Sequence, residues 1–199
     1  VRSLLEVLEL AGLYSEAERA WTGGRAVLVQ IGDVLDRGDD EAACLELCAP
    51  RCKPRDARKD VTLRQPRVCP RSLRELKVQA AEAGGAVLTL LGNHEVMNVC
   101  GVAGPYISTA GRTAFGSDRA AAFAPGGALA REMSTWPVVC VVGDTAFCHA
   151  GLTFETARDA AQINAEAARW LCEGAARKPP PSLMPTTDAA AATSPVWMR

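Results

Sequence analysis

The chain has 199 residues, enough for one domain with a real core, and 48% hydrophobic with 23% charged residues is ordinary globular composition. A net charge of −1 gives no global pull toward nucleic acid or a membrane surface. No apolar run approaches the ~20 residues that span a bilayer, and the opening residues do not read as a signal peptide.

The first residues instead predict a helix with Leu4, Val7, Leu8 and Ala11 on one face. Gly23-Gly24 turns the chain into an apolar run, Ala26–Ile31, that reads as a buried strand. That run ends in Gly-Asp-Val-Leu-Asp-Arg-Gly, Gly32–Gly38. Asp39–Leu47 then predicts a helix with acidic residues in its first turn. Leu73–Ala83 predicts a second, closed by Gly84-Gly85. A strand over Ala86–Leu91 follows and ends in Gly-Asn-His-Glu, Gly92–Glu95. Gly101–Gly127 is rich in Gly and Ala and yields no clear element. Trp136–Val142, Gly143-Asp144 and Thr145–Cys148 predict a β-hairpin that delivers His149-Ala-Gly151. Phe154–Glu173 predicts a helix with Ile163, Ala167, Trp170 and Leu171 as a core stripe. The order implies a mixed sheet sandwiched by helices, an α/β fold.

Two segments stand apart. Ala49–Ser72 holds four prolines and eight Lys/Arg against two Asp, a net +6 that leaves the rest of the chain at −7. It reads as a basic, solvated insertion at 49–72, and no aromatic residue interrupts it to stack on bases, which argues against single-strand binding. Lys178–Thr193, rich in Pro and Ala, reads as a flexible linker.

The eight cysteines do not form a secreted disulfide pattern. Cys140 and Cys148 sit in apolar runs, where buried free thiols are common. Cys44, Cys48 and Cys52 recur every four residues with Cys69 later, but Pro50 breaks any shared helix and the spacing is poor for zinc. Reduced, intracellular cysteines are the expectation.

Three strands therefore end in three glycine-bounded polar loops holding Asp, Arg, Asn and His. Such groups bind hard cations and phosphate oxygens, and ligands of open α/β sheets collect at strand C-terminal ends. Arg37 offers a guanidinium fork that matches phosphate. His94, beside Asn93 but pointing differently along the chain, suits a general acid, and Asp36 a carboxylate that orients it. Glu95 and Asn98 read as supporting residues.

The phrases Gly32-Asp-Val-Leu-Asp-Arg-Gly-Asp-Asp-Glu41, Gly92-Asn-His-Glu-Val-Met-Asn98 and Phe147-Cys-His-Ala-Gly151 resemble, in content and order, the phosphoprotein-phosphatase type of calcineurin-like metallophosphatase. The similarity is greatest to the Shewanella-like, bacterial-type branch. The resemblance implies an α/β/β/α sandwich with the site at one edge and two divalent metal ions, manganese, iron or zinc. It implies Asp33 as the bridging ligand, and Asn93 and His149 as ligands to one of the two ions. It further implies Arg37, Asn93 and Arg199 as substrate-binding groups, with His94, Asp36 and Arg37 catalytic.

The expected reaction is hydrolysis of phosphomonoesters, with phosphoproteins or small phosphoesters as substrates and with no nucleic-acid or membrane partner. Hydrolysis of a dinucleoside polyphosphate, or an inactive fragment that binds phosphate or a partner, are the alternatives. Val1 is not an initiator methionine, only His94 and His149 are present, and the family's earlier Gly-Asp-x-His-Gly loop has no counterpart. The chain accordingly reads as an internal fragment of a larger, intracellular catalytic domain, expected to hold metals weakly.

Overall fold

The computed structural model describes residues 2–48, 73–115, 118–173 and 178–198. The basic insertion 49–72 and Arg199 lie outside the described residues. In chain order the elements are α1 (Arg2–Leu10), β1 (Tyr14–Ser15), β2 (Ala20–Trp21), β3 (Val27–Gln30), α2 (Glu41–Cys48), α3 (Leu73–Glu82), β4 (Ala86–Thr89) and α4 (Asn93–Val99). They continue with α5 (Gly111–Ala114), α6 (Arg119–Phe123), α7 (Ala128–Met133), β5 (Val139–Val142), β6 (Thr145–Cys148), α8 (Phe154–Arg158), α9 (Ala160–Glu173) and α10 (Asp188–Ala191). The strands pair two by two, β1 with β2, β3 with β4, and β5 with β6. The fold is thus mixed α/β, and the chain divides into two compact units.

The first unit, residues 1–26 and 43–87, gathers α1, the β1–β2 ladder, most of α2, and α3. Tyr14 pairs with Trp21 in that antiparallel ladder. The Gln79 side chain accepts the Trp21 backbone N–H at 2.7 Å, and the Trp21 indole donates to the Gly24 carbonyl at 2.9 Å. Leu8, Tyr14, Trp21, Leu76 and Ala80 are buried. The expected face of α1 is corrected here. Leu8 is buried and Leu4 and Leu5 are half-buried, but Val7 is 60% exposed and Ala11 is also exposed, so the inward side is the narrower Leu4–Leu5–Leu8 one. The β1–β2 ladder, two residues a strand, is too short to leave a periodic signal.

The second unit, residues 27–42 and 88–199, carries all three polar loops. Its core is built from Leu90, Leu91, Val96, Phe123, Met133, Val138, Trp170, Leu171, Leu183 and Val196. The expected β5–β6 hairpin forms, with Val139 opposite Cys148 and Val142 opposite Thr145. Asn164 of α9 fixes that hairpin: its amide oxygen accepts the N–H groups of Val138 and Val139, and its amide nitrogen donates to the Val139 carbonyl. The stripe Ile163, Ala167, Trp170 and Leu171 faces the core, as its spacing requires.

Three sequence expectations change in this unit. The helix predicted over 154–173 is broken at Asp159 into α8 and α9. Strand β3 is not fully buried: Val27 and Ile31 are exposed, because one strand alone pairs with it among the described residues. Segment 178–193 packs rather than dangling. Leu183 is fully buried, the Trp197 indole donates to its carbonyl at 2.7 Å, and the Ser194 hydroxyl donates to the Ser182 carbonyl at 2.6 Å. Apolar residues spaced among the prolines outweigh the linker-like composition.

Candidate active site

The loop after β3 is folded through unusual backbone. Gly32 has φ +98°, and Asp33, Asp36 and Arg37 have φ of 56°, 71° and 61°. Aspartate tolerates the left-handed region, but an arginine there is uncommon and held by its surroundings. The Arg37 N–H donates to the Tyr106 carbonyl at 2.9 Å, which pins that conformation. Gly32 and Gly92 are required by close approach. A Cβ on Gly32 would lie 2.5 Å from the Gly92 nitrogen, and one on Gly92 would lie 2.5 Å from Asp33 Oδ1. The two polar loops touch backbone to backbone.

Glu95 is the staple between them. Its carboxylate, with no solvent exposure, accepts the N–H groups of Gly92 and Asp33 on Oε2, both at 2.8 Å. Oε1 accepts Val34 at 2.8 Å and Leu35 at 3.2 Å. The bond to Gly92 is the backward half of a capping box at the start of α4. Burial pushes the Glu95 carboxyl above its ordinary range, while its N–H bonds to Asp33, Gly92 and Val34 pull it back down.

Asp33, Asn93 and His149 converge. His149 Nε2 lies 3.0 Å from Asn93 Oδ1 and 3.4 Å from Asp33 Oδ2. His149 Nδ1 is 2.8 Å from the Ile31 carbonyl, an acceptor, so Nδ1 carries a proton. In the neutral ring Nε2 is therefore a bare lone pair aimed at two oxygen acceptors. Such a donor set is repulsive without a cation among the three atoms or a second proton on the ring, and it fits a divalent ion. Among the described residues no group of three His, Cys, Asp or Glu side chains forms a metal cluster; the third donor here is an amide. The other Asp33 oxygen, Oδ1, accepts the His94 N–H at 3.1 Å.

Asp36 and His94 form a tight pair beside this set, with His94 Nδ1 2.6 Å from Asp36 Oδ2. Asn98 donates to both Asp36 oxygens and to the His94 carbonyl, all at 3.0–3.1 Å. Arg37 Nη2 reaches His94 Nε2 at 3.2 Å, and since a guanidinium can only donate, Nε2 accepts. Tyr106 stands edge-on to the imidazole with ring centroids 5.1 Å apart, and the Arg37 guanidinium lies 5.5 Å over its ring. Arg37, Asn93, His94, Met97, Tyr106 and Trp197 line a cavity of about 290 Å³. That volume admits a phosphomonoester, and its lining mixes charged and polar groups with apolar and aromatic ones.

Of the residues singled out from sequence, Asp33, Asp36, Arg37, Asn93, His94 and His149 thus share one site; Arg199 is outside the described residues. Sequence reasoning passed over Tyr106, Glu41 and Arg119. Arg119 sits in α6 and bonds Glu41, Asn98 and the Gly111 carbonyl.

The chain shares its fold with a cold-active protein-tyrosine phosphatase of a psychrophilic Shewanella species: TM-score 0.60, 21% identity, 98% of this chain and 52% of that one. A second structure of a cold-active protein tyrosine phosphatase aligns with TM-score 0.61 and 20% identity, over 98% of this chain and 51% of that one.

In sequence the chain resembles the Shewanella-like protein phosphatases. It is 38% identical over 96 residues to Shewanella-like protein phosphatase 2 of Arabidopsis thaliana, 48% of this chain and 18% of that protein. It is 37% identical over 98 residues to an uncharacterized protein of Schizosaccharomyces pombe, 49% of this chain and 22% of that one. The chain therefore spans about a fifth of these curated relatives and about half of the solved structures. No protein-family model matches it.

Proposed function

We propose that this chain carries part of the active site of a metal-dependent phosphatase that hydrolyses phosphomonoesters, with phosphoproteins as the substrate class. The observation that carries the reading is the meeting of Asp33, Asn93 and His149 Nε2, next to the Asp36–His94 pair and Arg37. The relatives' names support the phosphatase class. The same reading extends to the calcineurin-like sandwich as the architecture of the complete domain.

Asp33, Asn93 and His149 would hold one divalent ion. Divalent ions at such a site supply a water acidified to a nucleophile and charge to offset the phosphoryl oxygens. Every other part falls to the chain. Arg37 binds two phosphoryl oxygens through its guanidinium fork, and in doing so leaves His94 Nε2. Nε2, freed, would take up a proton from solvent and give it to the departing alkoxide, while Asp36 fixes the ring through Nδ1. Tyr106 and Trp197 also line the cavity and offer aromatic surface to the ester's organic group.

The test is phosphate release from phenyl phosphate by the full-length protein that carries this chain, with added Mn²⁺ and with a chelator. Release that saturates with substrate, rises with Mn²⁺ and vanishes on chelation is expected. Release no faster than a Mn²⁺ blank would overturn the reading.

A further inference from the structure

Arg119 is a cation that its own ion pair does not explain. Its side chain is only 10% exposed, and its guanidinium is flanked by the Phe115 and Phe123 rings at 4.9 and 4.8 Å. Nη2 donates to Glu41 Oε2 and to Asn98 Oδ1, both at 2.8 Å, and Nη1 donates to the Gly111 carbonyl at 2.7 Å. Arg119 Nε and Glu41 Oε1 are buried without a hydrogen-bond partner. A pair built for stability alone would align the fork on both carboxylate oxygens. This one gives up that geometry to reach Asn98.

The contact on Asn98 decides which way its amide faces. With Oδ1 held by Arg119, Nδ2 must face Asp36 and the His94 carbonyl, where it makes its three contacts. A flipped amide would set an oxygen against the Asp36 carboxylate and an N–H₂ group against a cation. Arg119 Nη2 also lies 3.6 Å from Asp36 Oδ1, close enough to hold the carboxylate by charge. The partners come from three places in the chain: Glu41 at the start of α2, Asn98 in α4, and Arg119 in α6.

We infer that Glu41, Arg119 and Asn98 form a buried relay that orients the Asp36–His94 pair, with Arg119 as its positioning residue. Its catalytic consequence rests on the reading of His94 as the proton donor; its structural content does not. With Arg119 in place, Asp36 presents Oδ2 to His94 Nδ1, so the ring keeps its proton there and turns Nε2 to the cavity. Without it Asn98 can flip, and Asp36 loses both amide donors at once.

The experiment uses the chain with ¹⁵N-labelled histidine at one fixed pH, with no metal or substrate added. With only two histidines, His94 is assigned by comparison with His149→Gln. Wild type should show the Nδ1-protonated tautomer of His94, with a slowly exchanging Nδ1–H. Arg119→Met should lose that slow exchange and mix the tautomers, and Arg119→Lys should restore much of it. Asn98→Ala leaves the Arg119–Glu41 pair intact and should give the same loss as Arg119→Met, so it serves if Arg119→Met does not fold. A His94 spectrum unchanged in Asn98→Ala, or in a folded Arg119→Met, would overturn the relay. Absence of phosphatase activity would sink the proposed function and leave this result readable.

Discussion

At the scale of single residues, the site divides into groups that face the cavity and groups that hold them. His94 faces it. His94→Asn should lower turnover of an alkyl phosphate by roughly 10²–10⁴-fold, the range for a lost general acid. A nitrophenyl phosphate, whose leaving group departs as a stable anion, should suffer much less, and metal uptake should be unchanged. Equal losses for both esters, with metal uptake lost too, would make His94 a ligand instead.

Glu95 holds. Its carboxyl is raised above the ordinary 4.5, so the folded chain binds its proton more tightly than the unfolded chain does. Stability from this group is fully present below the unfolded value and is lost as pH rises through the folded one. Glutamine at this position does not titrate, so the difference between the wild type and Glu95→Gln isolates the group. The wild type's advantage should shrink as pH rises from about 4.5 and then level off. An advantage that grows with pH would mean that the N–H bonds outweigh burial and that the group folds ionised.

At the scale of elements, the loops between strand and helix are the specified parts. The glycines at 32 and 92 leave room for one backbone to lie on another, and Gly32 also needs a positive φ. Gly32→Ala should cost about 1–3 kcal/mol by backbone strain alone, with more from the clash. Gly143→Ala, also at positive φ (+63°) but with open space around it, should cost only the milder strain of its turn. Urea unfolding of the two variants checks the order, and a larger loss at Gly143 would contradict it.

These loops were legible because their chemistry is written in consecutive residues after apolar runs. Glu95 could be placed as a supporting residue, yet three of its four N–H partners lie in a loop some sixty residues away. Arg119 was illegible for the same reason in stronger form. It meets Glu41 across 78 residues, from a stretch with no helical or strand period. The α1 face failed differently: Val7 fits the apolar period, but a short helix covers only a narrow core, and Val7, Leu10 and Ala11 are left in solvent. In 178–193, composition suggested a linker, but Leu183 and Trp197 supply burial that composition does not report.

At the scale of the whole molecule, the six described site residues and their supports fall within one of the two compact units. The chain aligns over nearly its full length with solved phosphatases while matching half of theirs. The central claim is that Asp33, Asn93 and His149 form one metal-binding position. Its most direct test is Mn²⁺ binding to the chain followed by electron paramagnetic resonance, in wild type and in Asp33→Asn, Asn93→Ala and His149→Gln. Each substitution removes or weakens one donor and should lower affinity by at least about tenfold, the scale on which metal sites respond to altered ligand environments. Folding is checked by circular dichroism. Mn²⁺ affinity equal to wild type in all three folded variants would contradict the account.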